Sequence, residues 1–196
     1  MTDEHSDAGI VRPAVAADAA AIAAIYRPYV TDTVASFEQD PPDTDEFVRR
    51  MLVRPRRPWL VAEVGDQIVG YAYAAPHRSR AAYRWSVDCS VYLAAGFQRA
   101  GWGNRLYTAL FAELRDLGYA TVFAGITQPN PASVRLHERL GFQPVGTYRR
   151  VGFKDGAWHD VSWWQLSLTT ELAAVPADPR PWQPPVVERS GPLPRQ

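Results

Sequence analysis

Between an apolar run at Val87 to Leu93 and a helical pattern at Gly103 to Leu117 lies the stretch Gln98-Arg99-Ala100-Gly101-Trp102-Gly103. A strand, a glycine turn and a helix in direct succession constrain the fold more than any other feature of the chain. Gly101 and Gly103 carry no Cβ, so successive backbone N–H groups can converge on one point in front of the helix, where its dipole is positive. That arrangement suits a phosphate or pyrophosphate. Arg99 adds a planar fork of donors for phosphate oxygens, and Trp102 is placed to cover the turn.

Two phosphate-binding readings fail on residue identity. A dinucleotide turn needs a third glycine at position 106, which is Leu106, and no ribose-binding acid follows the strand expected at Thr121 to Ile126. A Walker loop needs Gly-Lys-Ser or Gly-Lys-Thr, and neither occurs.

Periodicity around the turn predicts an α/β (α+β) chain with a central mixed β-sheet flanked by helices. Strands are expected at Ile10 to Pro13, Trp59 to Val64, Ile68 to Ala75, Ser86 to Leu93, Thr121 to Ile126, Pro144 to Val151 and Trp158 to Leu168. Helices are expected at Ala16 to Tyr26, Thr44 to Val53, Gly103 to Leu117 and Pro131 to Leu140. One domain over residues 10–170 follows a short N-terminal tail, residues 1–9. From Glu171 onward prolines accumulate, and residues 171–196 read as an extended tail. Such a tail either wraps a neighbouring subunit or is disordered, although Trp182 and Val186-Val187 favour docking.

Composition excludes several function classes. Lys plus Arg balance Asp plus Glu at 21 each, so no positive field gathers nucleic acid. Cys89 is the only cysteine, which rules out an internal disulfide or a multi-thiolate metal site and fits a reducing cytoplasm. No window approaches the ~20 apolar residues of a membrane span, so neither export nor anchoring is expected.

The spacing Gln-Arg-x-Gly-x-Gly before a helix resembles the pyrophosphate loop of the GNAT acetyltransferases. A second block, Asn130 to Phe142, resembles the Asn-x-x-Ser helix of the same superfamily, which ends in Leu-Gly-Phe or Leu-Gly-Tyr. Further stretches are similar to one branch, the phosphinothricin and methionine-sulfoximine N-acetyltransferases. These include Thr33 to Glu38, Gly70 to Ala74, Arg80 to Tyr83, Ser133 to Glu138 and Gly156 to Val161. The resemblance implies the GNAT fold, acetyl-CoA as cosubstrate without a metal, and a homodimer. It also implies direct transfer, in a ternary complex, to the α-amine of a small glutamate-like amino acid. Arg99, Ala100, Gly101, Trp102, Gly103 and Asn104 would hold the pyrophosphate, and Val91, Tyr92 and Leu93 would pair through backbone with the pantetheine amides.

Acetyl transfer to an amine asks for a neutral nucleophile, a donor for developing oxyanion charge and a proton for the leaving thiolate. Asp88 interrupts an apolar strand just ahead of the cofactor loop. The related enzymes carry a glutamate base there, and aspartate shortens the reach by about 1.5 Å, which favours a water relay. Asp88 held by neighbouring backbone or an arginine is the alternative.

His137 falls on the inward arc of its helix with Ala132, Val134, Leu136 and Leu140, while Arg135, Glu138 and Arg139 point away. Its imidazole suits proton exchange, with a satisfied core histidine as the alternative. Asn130 and Ser133 either cap that helix or meet the pantetheine arm. The loop His77 to Tyr83 offers Arg78 and Arg80 to an anionic amino acid, with Phe37, Tyr83 or Trp163 enclosing its chain. Cys89 reads as packing, and His159-Asp160 as structure. A different amine acceptor, or an acyl-CoA-binding module without catalysis, stays open on these residues.

Overall fold

Branched and aromatic residues recur in the strand segments, and a computed structural model describing residues 9–171 and 173–184 joins them into one sheet. The strands are β1 (Ile10–Pro13), β2 (Trp59–Val64), β3 (Gln67–Pro76), β4 (Ser86–Leu93), β5 (Thr121–Thr127), β6 (Gln143–Lys154) and β7 (Ala157–Ser167). Their order is β1-β2-β3-β4-β5-β7-β6. All neighbours are antiparallel except β4 and β5. The helices are α1 (Ala19–Thr31), α2 (Thr44–Met51), α3 (Trp102–Asp116) and α4 (Pro131–Arg139). The mixed sheet flanked by helices matches the expected class.

Period-two alternation gives each face its own core. On one face Val87, Cys89, Val122 and Ala124 pack with Leu106, Tyr107, Leu110 and Phe142. On the other, Tyr71 and Trp59 meet Ile22, Tyr26 and Phe47. Each large side chain withdrawn here contributes about 1.5–3 kcal/mol.

The parallel pair does most to shape the site. β4 and β5 are in register only over Ser86↔Thr121, Val87↔Val122 and Asp88↔Phe123. β4 then runs on to Leu93 and β5 to Thr127 without pairing to each other, so the sheet opens between them.

Several boundaries differ from expectation for identifiable reasons. α1 follows a 3-10 turn at Ala16–Asp18 and continues past Tyr26 through Pro28 to Thr31. Proline removes one N–H donor, but Tyr26 and Val30, 5% and 1% exposed, bury the continuing face. α2 ends at Met51, where Leu52 N–H turns back to Arg49 and Val48 carbonyls. β6 extends to Lys154 through a bulge in which Arg150 has φ 48°. Asp160 secures that bulge, accepting from Arg150 N–H and Arg149 Nη1 at 2.7 Å each, and His159 Nε2 donates to the Lys154 carbonyl at 3.0 Å. Both side chains thus hold the backbone of the β6–β7 hairpin.

Residues 1–8, 172 and 185–196, with Pro185, Val186, Val187, Pro192 and Pro194 among them, lie outside the described residues. The described part of the tail docks on its own chain. Trp182 is 3% exposed, and its indole N–H donates to Glu113 Oε2 at 3.0 Å. Arg180 N–H reaches Leu117 O at 2.8 Å, and the Trp85 indole N–H reaches Ala177 O at 2.8 Å.

Candidate functional site

The opening between β4 and β5 is a groove of about 1210 Å³, walled by Cys89 to Leu93 on one side and Ala124 to Thr127 on the other. At one end stands the glycine turn. Gly101 is the N-cap of α3 with φ 84°, a backbone that other residues rarely adopt, and no side chain caps the first-turn N–H groups. Those donors are left for an anion. Gly103 lets α4 approach, since a Cβ there would sit 3.2 Å from Leu136. Arg99, Gly101, Gly103 and Asn104 all line the groove.

Two members of the expected pyrophosphate set do not. Ala100 is exposed in the turn outside the lining, and Trp102 is 1% exposed beneath it. The Trp102 ring packs under the Arg105 guanidinium, 4.0 Å from its centroid, so it supports the turn from inside the core and does not cover it. Arg135 and Arg139, read from helical phase as pointing away, line the groove beside Arg99 and Arg105. The groove is open and wide, so the edge of the α4 arc reaches it.

Of the three β4 residues expected to pair with pantetheine amides, one keeps an open backbone. Leu93 is engaged by Tyr29, whose Oη donates to Leu93 O at 2.8 Å and accepts from Leu93 N–H at 3.3 Å. Alternation turns the Tyr92 amide the other way, toward its β3 partner Tyr71. Val91 has the same parity as Leu93 and faces the opening.

His137 is 3% exposed, edge-on to Tyr107 at 5.4 Å and Phe142 at 4.9 Å. Burial lowers its pKa, which keeps the ring neutral. Nδ1 donates to Ser133 O at 2.8 Å, and Nε2 is buried without a partner among the described residues. In that tautomer the ring has a lone pair on Nε2 and no free N–H, so on the groove side it can accept a proton or a hydrogen bond. Asn130 does cap α4, its Oδ1 accepting from Ser133 N–H at 3.1 Å, and both residues line the groove. Ala132 is exposed on that wall, contrary to the inward arc. Burial pushes the Cys89 thiol up to about 12, so it remains a protonated packing group.

The second half of the site lies on the opposite face of β4. Asp88 is in the last registered pair before the strands part. Its Oδ1 lies 2.6 Å from His77 Nδ1, and burial raises its pKa against the opposing effect of that bond. The His77 ring stacks on Phe123 at 4.2 Å and lies 6.0 Å from Trp163 and 6.1 Å from Tyr83. Arg78 holds its guanidinium 5.8 Å from the Trp163 ring. Arg80 is exposed, and its backbone carbonyl accepts from Tyr83 N–H at 3.0 Å. Phe37 lies 6.2 Å from His159, over Gly152, where a Cβ would collide with its ring.

The structure thus gathers Asp88, Arg78 and Tyr83 around one surface, whereas Phe37 packs on the β6–β7 hairpin at Gly152 and His159. Sequence reasoning passed over His77, Phe123, Tyr107 and the α4 arginines. For His77 the available signal was a histidine eleven residues before a carboxylate, on the segment between two consecutive expected strands.

A cleft between two splayed parallel strands, with a glycine turn and open helix donors at one end, defines a coenzyme-A-dependent acyltransferase. The donors of α3, the rim arginines and the free β4 edge at Val91 fit the coenzyme's phosphates and amide arm. A family model described as an acetyltransferase (GNAT) domain matches residues 11–163, and the chain belongs to this family. It is an N-acetyltransferase whose cosubstrate is acetyl-CoA. The chain is 42% identical to a phosphinothricin N-acetyltransferase of Streptomyces viridochromogenes, over 89% of this chain and 93% of that one. It is 36% identical to an L-methionine sulfoximine/L-methionine sulfone acetyltransferase of Salmonella typhimurium, over 83% and 96%. The solved structure of a phosphinothricin acetyltransferase from Sinorhizobium meliloti, in complex with acetyl-CoA, superposes with a TM-score of 0.81 at 35% identity, covering 86% of this chain and 93% of that one.

Proposed function

We propose that this enzyme acetylates the α-amine of a small glutamate-like amino acid, such as phosphinothricin, methionine sulfoximine or methionine sulfone, by direct transfer in a ternary complex. The observation that carries this reading is where the two halves meet. The cofactor groove begins at the Asp88↔Phe123 pair, and Arg78, Tyr83 and Trp163 surround that point from the opposite face. An arginine over aromatic rings suits an acceptor with an anionic head and a short aliphatic chain.

When bound, acetyl-CoA supplies the thioester. Arg99, Asn104 and the N–H groups from Gly101 to Gly103 hold its pyrophosphate, with Arg135 and Arg139 available to the other phosphate. Val91 aligns the amide arm, and Asn130 and Ser133 frame it. His137 Nε2 accepts a hydrogen bond from the groove side, and Asp88 supplies the negative charge for deprotonating the acceptor ammonium. The exposed side chains of Val145, Tyr148, Val151 and Phe153 on β6 and Trp158 on β7 support a homodimer built on that edge. The single buried cysteine and the lack of a long apolar helix among the described residues fit a cytoplasmic enzyme that would confer herbicide resistance.

A thiol-release assay with acetyl-CoA and a panel of amino acids and amines tests the reading. Phosphinothricin, methionine sulfoximine and methionine sulfone are expected to exceed neutral amino acids and simple amines in kcat/KM. Preference for an acceptor without a second polar head would overturn it. Arg80→Ala is expected to raise the acceptor KM several-fold while leaving the acetyl-CoA KM unchanged, and parallel changes in both would remove Arg80 from the acceptor half.

A further inference from the structure

Asp88 has one hydrogen-bond partner among the described residues, and it is a side chain that proton transfer can use. His77 Nδ1 lies 2.6 Å from Asp88 Oδ1, a short bond in a half-buried setting. A carboxylate acceptor fixes the proton on Nδ1, which leaves the lone pair on Nε2, and Nε2 makes no hydrogen bond among the described residues. The ring is also clamped. Phe123 stacks on it at 4.2 Å with planes 18° apart, and Trp163 meets it at 81°. Such packing prevents the ring from turning to exchange its nitrogens.

We propose that His77, oriented by Asp88, is the base that takes the proton from the acceptor amine. The proposal rests on the acetyl-transfer reading above and deepens it. Position supports it first: Asp88 and Phe123, the two residues that hold the ring, form the registered pair from which the cofactor groove opens. Reach supports it second, because an imidazole extends an aspartate outward where the carboxylate alone is short. The titratable groups facing the ring are Asp88 from β4 and Arg78 and Tyr83 from its own loop, while β5 and β7 present Phe123 and Trp163.

The step balances without a further reactant. The acceptor ammonium gives one proton to His77 Nε2, and the freed lone pair forms the N–C bond to the acetyl carbon. The C–S bond breaks with its pair on sulfur, which receives the second proton shed by nitrogen and leaves as the thiol. The imidazolium returns its proton to water. Asp88 stays ionised throughout and acts as a positioning residue, holding the tautomer and stabilising the imidazolium.

The test uses His77→Gln, Asp88→Asn and the double variant of the full-length enzyme, each checked for a cooperative thermal transition. His77→Gln is expected to lower kcat by about 10²–10⁴ with an unchanged KM for acetyl-CoA. The double variant should be no slower than His77→Gln alone, because the two residues act as one unit. Wild-type turnover by His77→Gln while Asp88→Asn is slow would make Asp88 itself the base and overturn the proposal. Imidazole nitrogen NMR at neutral pH reads the orienting role without substrate. His77 should be protonated at Nδ1 in the parent and a mixture of tautomers in Asp88→Asn. A mixture already in the parent overturns the proposal whatever the rates. Absence of acetyl transfer to any glutamate-like acceptor would sink the substrate reading, and the NMR result would still decide the dyad.

Discussion

The two halves of the site are built from different materials. The cofactor half is largely backbone: a left-handed glycine, the first turn of α3 and an unpaired strand edge, all close together in the chain. The acceptor half is side chain. It takes His77 and Arg78 from the segment just after β3, Asp88 from β4, Phe123 from β5 and Trp163 from β7. A backbone site depends little on which side chains line it, whereas side chains from four segments can be exchanged singly. The chemistry of the acceptor is therefore set where substitutions cost the fold least.

The largest expected effect separates the halves by chemistry. Asp88→Asn preserves shape and is expected to lower turnover by about 10²–10⁴, while acetyl-CoA affinity by calorimetry stays at the parent value. A parallel loss of coenzyme affinity would break the comparison, because Asp88 would then belong to both halves.

Arg99→Glu probes the other direction. Arg99 is exposed at the groove mouth, where reversing its charge sets an anion against the coenzyme phosphates. The acetyl-CoA Kd is expected to rise by about tenfold, near 1.4 kcal/mol, with the acceptor KM held. Unchanged coenzyme affinity would remove Arg99 from the phosphate end and leave binding to the helix donors, Arg135 and Arg139.

The cofactor half was legible in the sequence because its motifs are contiguous. The Gly101–Gly103 turn, the Asn130 cap and the strand–turn–helix order each follow from residues that are neighbours in the chain. What sequence missed is what depends on phase or on distant pairing. Trp102 lies one residue inside α3, and that offset turns its indole into the core rather than over the turn. Tyr29 lies 64 positions from Leu93 and takes its backbone groups, which no local pattern announces. His77 was hidden among arginines whose charge drew the functional reading. Its bond to Asp88 needs the antiparallel pairing of β3 with β4 to become visible.

Asn130 tests whether a residue in the cofactor half serves the fold or the ligand. Its Oδ1 caps Ser133 N–H at 3.1 Å, so Asn130→Ala should cost about 1 kcal/mol in urea unfolding without coenzyme. Asn130→Asp keeps an acceptor oxygen and should restore that stability while introducing a charge beside the groove. If stability returns but acetyl-CoA affinity does not, Asn130 serves both roles. If neither variant alters stability, the cap is not what holds α4.

His137 gives an effect whose sign is fixed by burial. Burial sets its folded pKa below the ordinary histidine value. Between that lowered value and about 6.5 the unfolded chain binds a proton that the folded chain does not, so stability must fall as pH drops through this window. One such group contributes at most about 1.4 kcal/mol per pH unit. His137→Gln removes the titration, and its urea-unfolding free energy should depend less steeply on pH than the parent's over pH 5 to about 6.5. Parallel profiles would mean that the folded ring protonates as readily as the unfolded one. The Nε2 position would then carry a proton near neutrality, and His137 would regain the ability to donate to the departing thiolate. A shallower profile in the variant keeps His137 a neutral acceptor on the cofactor side and leaves the acceptor ammonium to the Asp88 side of the sheet.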